Sequence, residues 1–394
     1  MPDLDQIFVT LKHWLLGQVA EIVPASWLPL VSILLSLVPI LIVFPSLFAL
    51  MTIIERKGLG RIQNRYGPNR VGPFGFLQPA ADGIKALIKE DIVPRAADKV
   101  VHLLAPVILV VTAFTVYAVL PIGRNMVALD LDAGLLFFFA VGAASELAVF
   151  MAGWSSRNKY ALLGAMRAVA QMVSYEIPLI LSSVAVVMIT GTLSLPTIVA
   201  AQSTHAGLLP DWFVFTPWGF AGFVLFMIAA NAEANRSPFD LPEGESEIIA
   251  GYFIEYSGFK FALFFLAEYL SLFAISGLGI TLFLGGWNAP FPGLEFIPSW
   301  AWFFIKLISL MVLFIWTRGT LPRLRQDQLM NLAWKFMIPM VLVNLVAAAL
   351  WHFAGPGFTR WFTSGALVIG AYLLLGKPQF QTKDIGKRTY RYAE

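Results

Sequence analysis

The chain has 394 residues, is 58% hydrophobic and only 13% charged, and has a mean hydropathy of +0.75, which sets it apart from soluble domains. It holds no cysteine, which excludes disulfides and thiolate-bound iron–sulfur clusters. Its net charge is +3, and its four histidines, His13, His102, His205 and His352, are far apart without H-x3-H spacing, so no metal site is expected.

In chain order, the N-terminus opens with Asp3 and Asp5 rather than a basic stretch, and no small-residue cleavage site follows the first apolar run. That argues against a cleavable signal peptide. Residues 5–23 read as an interfacial helix. Apolar runs follow at about 30–54, 100–121, 135–153, 161–189, 217–232, 259–284, 301–316 and 334–353, with a shorter ninth at 361–375. Most approach the roughly 20 residues that a spanning helix needs. The alternating ten-residue pattern of a barrel is missing, so the spans must be helices. The expected fold is an all-α polytopic membrane protein with about nine transmembrane helices, eight core and one C-terminal. It reads as a single integral membrane domain, 1–394, with an N-terminal segment 1–29, a core 30–353 and an extension 354–394.

Orientation follows from lysine and arginine. Nine lie between Arg56 and Lys99, and Arg157, Lys159 and Arg167 follow the third span. Arg318, Arg323, Arg325 and Lys335 surround the junction of the seventh and eighth. The alternate loops hold Arg124 and almost nothing else. The N-terminus is therefore expected outside and the C-terminus, with Lys383, Lys387, Arg388 and Arg391, in the cytoplasm.

Four stretches can carry chemistry. The first, Glu55 to Asp91, is dense in glycine and proline and carries Arg56, Arg61, Arg65 and Arg70, with Asp82 and Lys85 on an expected amphipathic helix. A basic surface loop explains its charge; its glycines and prolines favour an ordered loop that docks a partner or lines a cavity. The second, Trp154 to Glu176, sets Arg167, Gln171 and Ser174 on one helix face. Glu176 precedes Pro178, which is expected to loosen the helix. A polar seam between helices accounts for Gln171 and Ser174, but an ionisable residue at depth points to function. Glu146, Glu233 and Glu268 repeat the pattern, and four such carboxylates argue for a hydrated polar channel. Lys306 lies near the outer end of its span, where lysine can snorkel to the interface. The third, Trp316 to Lys335, reads as a charged corner for anchoring or docking. The fourth, Glu233 to Glu255, holds six carboxylates (Glu233, Asp240, Glu243, Glu245, Glu247, Glu255) and one cation, Arg236. Acids beside a membrane must be solvated, paired or protonated, which makes them candidate proton carriers. Phosphate-binding glycine motifs and a nucleophile elbow are missing.

ERKGLGRIQNRYGPNRVGPFGFLQPAADGIK, WSSRNKYALLGAMRAVAQMVSYE, AEANRSPFDLPEGESE and LPRLRQDQLMNLAWK together resemble the family of NADH-quinone oxidoreductase H subunits of respiratory complex I, the bacterial counterpart of mitochondrial NADH dehydrogenase subunit 1. The resemblance covers about residues 30–353. It implies a multi-pass subunit of the bacterial plasma (inner) membrane, active only within its complex, that forms the quinone access tunnel and part of the proton path. It implies quinone, ubiquinone or menaquinone, as substrate, and no flavin, iron–sulfur cluster or metal on this chain. Implied partners are the other membrane-arm subunits, the quinone-site subunits of the peripheral arm and the lipid bilayer, with no nucleic acid. The tunnel and coupling loop map onto Arg56, Arg61, Arg65, Arg70, Asp82, Arg236, Asp240, Glu243, Glu245 and Glu247. The proton path maps onto Glu146, Glu176, Glu233, Glu255, Glu268 and Arg167. The alternatives are the related membrane subunit of a proton-pumping hydrogenase or dehydrogenase, and a self-contained ion transporter, against which the missing inverted repeat counts.

Overall fold

A computed structural model describes residues 2–21, 23–206, 209–240, 249–294, 296–355 and 357–380. The α-helices of six residues or more are α1 (Ile7–Ala20), α2 (Leu28–Ile62), α3 (Gln78–Ile88), α4 (Lys99–Thr115), α5 (Gly134–Ser155), α6 (Lys159–Thr190), α7 (Leu195–Ala200), α8 (Pro217–Glu233), α9 (Gly258–Phe283), α10 (Ser299–Thr320), α11 (Gln326–Asn331), α12 (Ile338–Phe353) and α13 (Phe358–Phe380). The strands among the described residues are one two-residue pair, His205–Ala206 with Leu209–Pro210. Eight helical stretches among the described residues are long and apolar enough to cross a membrane, including Phe358–Gly376, the expected ninth span. The expected fifth span is α8, which has 17 residues. At 1.5 Å per residue it is about 25 Å long, short of the roughly 30 Å hydrocarbon layer. It is covered by α6, α9, α12 and α13, so protein rather than lipid surrounds much of it.

Local sequence explains the ends of these helices. Asp98 caps α4 by accepting from the Val100 and Val101 amides, and Asn158 caps α6 through the Tyr160 amide. Thr216 caps α8, with Pro217 at its first position. Gly191, at φ +70°, ends α6 in the left-handed conformation that glycine adopts without strain. Pro178 does not break α6, which runs unbroken from Lys159 to Thr190. The packing around it holds the helix where the lost hydrogen bond alone would loosen it. A six-residue π-helical turn, Leu332–Met337, joins α11 to α12.

Small residues set the closest approaches. A Cβ on Gly153 would stand 2.3 Å from that of Ala165, so α5 and α6 cross almost backbone to backbone. α9 is the centre of the bundle: every residue from Leu272 to Phe283 is buried. Tyr117 packs on Phe44 at 4.0 Å and donates to the Leu270 carbonyl at 2.6 Å, tying the end of α4 to α2 and α9.

Successive spans alternate in direction, which gathers the basic loops at one end. There Ile92 bonds to Ser257, the Asp98 amide to the Ser155 carbonyl and the Leu324 amide to the Pro238 carbonyl. At the opposite end Asp5 accepts from the Ser299 amide at 2.7 Å, and Phe8 packs edge-on against Trp300, so α1 folds back onto α10. Lys306 departs from the snorkelling expectation. It is half-buried, and its ammonium turns inward to three backbone carbonyls, because the end of α9 offers acceptors closer than water.

Candidate functional site

Near the basic end, five side chains from four places in the chain form one buried ionic knot. Glu55 lies two turns before the end of α2 and is 4% exposed. Arg236, 5% exposed, follows α8 and reaches both Glu55 oxygens at 3.0 Å. Its Nε lies 2.9 Å from Glu268 of α9, and its guanidinium stacks 4.0 Å from the Tyr269 ring. The Tyr269 hydroxyl donates to Glu55 at 2.5 Å, and Arg318 of α10 pairs with the same carboxylate. Burial works against the Arg236 charge, but the carboxylates of Glu268 and Glu55 outweigh it and hold the group above the usual arginine range.

A second cluster joins α5, α6 and α8. Glu146 and Glu176 lie close enough together for their charges to act on each other and on Glu233. Carboxylates grouped this closely disfavour one another's charged forms, so the group is suited to holding a proton. The two clusters face a common cavity between α4, α5 and α9, whose walls include Glu233, Glu268, Thr112, Ser145 and Ser271.

The turn that follows α8 is pinned from α6. The Gln171 amide donates to the Ala232 and Phe239 carbonyls, at 2.7 and 2.8 Å, and to the Asn235 side chain at 3.1 Å. Tyr175 donates to the Leu329 carbonyl at 2.9 Å, just before the π-helical turn. Arg323 bonds the Asp240 carbonyl. Closer to α9, Glu255 accepts from Asn158 at 2.7 Å, and Tyr256 stacks on His102 at 4.0 Å. Burial pushes the Tyr256 hydroxyl up to about 12, with a contact from Ser155 acting the other way.

The first basic loop is folded against the end of α2. A Cβ on Gly67 would lie 2.9 Å from the Lys57 Cα, and one on Gly75, at φ +77°, would lie 2.3 Å from the Pro68 carbonyl. Arg56 pairs with Asp82 at 2.5 Å, and Asp82 also accepts from Gln78. The ordered-loop expectation therefore holds for the path of this backbone.

Comparisons with known proteins agree with this architecture. The NADH dehydrogenase family matches residues 35–349. A relative from Dehalococcoides mccartyi, named as the H subunit of NADH-quinone oxidoreductase, is 47% identical over 327 residues, covering 82% of this chain and 89% of its own. Relatives of the same name from Brevibacillus brevis and Burkholderia vietnamiensis are 48% and 46% identical, covering 75% and 84% of this chain and 86% and 94% of theirs. The chain belongs to the family of NADH-quinone oxidoreductase H subunits.

Within this NADH-quinone oxidoreductase subunit, the residues singled out from sequence divide into groups. Glu146, Glu176 and Glu233 come together, and Glu268 shares their cavity while paired to Arg236. Arg167, two residues after Ala165 on α6, is half-buried. Glu255 stands apart from these acids, in the turn before α9 and bonded to Asn158, because Gly258 starts the helix only beyond it. Arg56, Arg61, Arg65 and Arg70 are exposed, so the buried guanidinium of the site is Arg236 instead. Asp240 belongs to the pinned turn, and Glu243, Glu245 and Glu247 lie outside the described residues. Glu55, Tyr269 and Arg318 were missed as site residues. Glu55 was legible as an acid in an apolar run, and only its adjacency to Arg56 and Lys57 disguised it as loop.

Proposed function

We propose that this chain is the membrane subunit through which a proton-translocating NADH:quinone oxidoreductase couples quinone reduction to proton movement. The observation that carries the reading is the shared cavity, with Glu268 of the ionic knot on one wall and Glu233 of the acid cluster on another. A charge change at the basic end acts first on the Glu55–Arg236–Glu268 knot. One unit of charge at about 4 Å and an effective dielectric near 20 changes a neighbour's energy by roughly 4 kcal/mol, enough to move a carboxyl group between its charged and neutral forms. The response passes through the cavity to Glu233 and then to Glu146 and Glu176, which exchange a proton with it. Quinone, ubiquinone or menaquinone, approaches by the basic loop bearing Arg56, Arg61, Arg65, Arg70 and Asp82. The acids Asp240, Glu243, Glu245 and Glu247 sense its charge, and Glu255 and Arg167 flank the path. The basic end faces the cytoplasm of a bacterial cell, and the redox centres belong to partner subunits. Glu176→Gln and Glu233→Gln, each in the assembled complex, are expected to lower quinone reduction and proton pumping together. Glu21→Gln, at the exposed end of α1, is expected to leave both intact. Full pumping rate and stoichiometry in both the Glu176 and Glu233 variants would refute this reading.

A further inference from the structure

The cavity shared by Glu233 and Glu268 ends, towards the far side of the bundle, at Val116, Phe138 and Ile275. From Ser276 to Phe283, α9 is buried on every side. Beyond this sealed stretch a second cavity opens at the opposite end, with Arg124, Ser203, Asn288 and Trp302 on its walls. Lys306 sits one helical turn beyond Trp302 on α10, farther from that end. Its Nζ donates to the carbonyls of Leu284 at 2.8 Å, Gly286 at 2.8 Å and Asn288 at 2.7 Å, and lies 4.0 Å from the centre of the Trp212 ring. Gln202 completes the closure by donating to the Thr281 and Leu282 carbonyls and accepting from the Gly285 amide at 3.1 Å.

An ammonium has three N–H donors and no acceptor. All three donors of Lys306 are held by backbone carbonyls, which accept hydrogen bonds but do not take up its proton. The carbonyls it satisfies are those at and just beyond the C-terminal end of α9, where the helix dipole is negative. Without a cation of its own, that end would be a ready site for a hydronium or a small monovalent cation. Fixed positive charge in a narrow, dry passage is a general means of excluding protons.

We propose that Lys306 is a tethered cation that fills the cation site at the carbonyl end of α9, and so shuts the opposite end of the bundle to protons. The inference rests on the reading that the inner cavity carries protons. It adds that this cavity opens to one side only, and that Lys306, with Trp212 and Gln202, is what makes it so.

The test is passive proton entry into liposomes holding the assembled complex and a pH dye, driven by a potassium diffusion potential with no NADH present. Lys306→Gln keeps amide donors for the carbonyls but loses the charge, and Lys306→Arg keeps the charge. The Gln variant is expected to leak protons about tenfold faster, the factor set by a lost barrier of about 1.4 kcal/mol, while the Arg variant stays as tight as the parent. Asn288→Asp leaves Lys306 in place and sets a carboxylate beside it; it too is expected to leak, and it carries the test alone if the Gln variant does not assemble. Tight liposomes with the uncharged variant, or equal leak with Gln and Arg, would overturn the proposal. Pumping by the parent complex with NADH, in the same liposomes, is a separate measurement: its absence would sink the coupling reading, whatever the leak shows.

Discussion

Glu55 has two arginines and a tyrosine around one carboxylate, so exchanging any one of the four alone carries a cost. Arg236 and Glu55 are almost wholly withdrawn from solvent. Removing one partner of a buried pair leaves its counter-charge uncompensated, at a cost of about 3–5 kcal/mol. Arg236→Met is therefore expected to destabilise the assembled complex by that amount, read as a loss of thermal stability or of assembled subunit in the membrane. Tyr269→Phe removes one hydrogen bond to a charged group and is expected to cost about 1.5–3 kcal/mol, while both arginines still pair with Glu55. Equal losses in the two variants would mean that the knot does not depend on the Arg236 charge.

The helices position these groups through their ends as much as through their faces. α8 delivers Glu233 at its last residue and Arg236 three residues later, and Gln171 of α6 holds that turn by its carbonyls. The alternation of α2, α4, α5, α6, α8 and α9 then requires the loops of Arg65 and Arg236 to share one side, and His205 to lie on the other. The chain has no cysteine of its own, so Arg65→Cys and His205→Cys each create a unique label site. An impermeant thiol reagent applied to intact cells is expected to modify position 205 and not position 65. Labelling in the reverse pattern would invert the orientation read from the positive charges.

At the scale of the whole molecule, the chain is a helical bundle with acidic side chains on the wall of an inner cavity and no nucleotide-binding motif in its sequence. Among the described residues no cluster of histidine, aspartate and glutamate is placed to hold a metal ion. Purified alone in detergent, the chain is expected to oxidise no NADH, measured by absorbance, and to regain a role only with its partner subunits. NADH oxidation by the isolated chain would contradict the assignment of the redox centres to those partners.

Hydropathy alone determined the helical class and the approximate spans, because a backbone in lipid has no alternative to internal hydrogen bonding. It also marked Glu146, Glu176, Glu233 and Glu268 as acids in apolar surroundings, because such residues are costly wherever they occur. What hydropathy does not encode is which helix faces meet. Only the tertiary structure decided that Glu268 belongs first to Arg236, that Glu55 is core rather than loop, and that Lys306 turns inward. Each of those outcomes depends on a partner distant in the chain: Glu55 and Arg318 are separated by 263 positions. The partner carboxylate, guanidinium or helix end has to be brought within about 3 Å before the side chain's charge has a defined place.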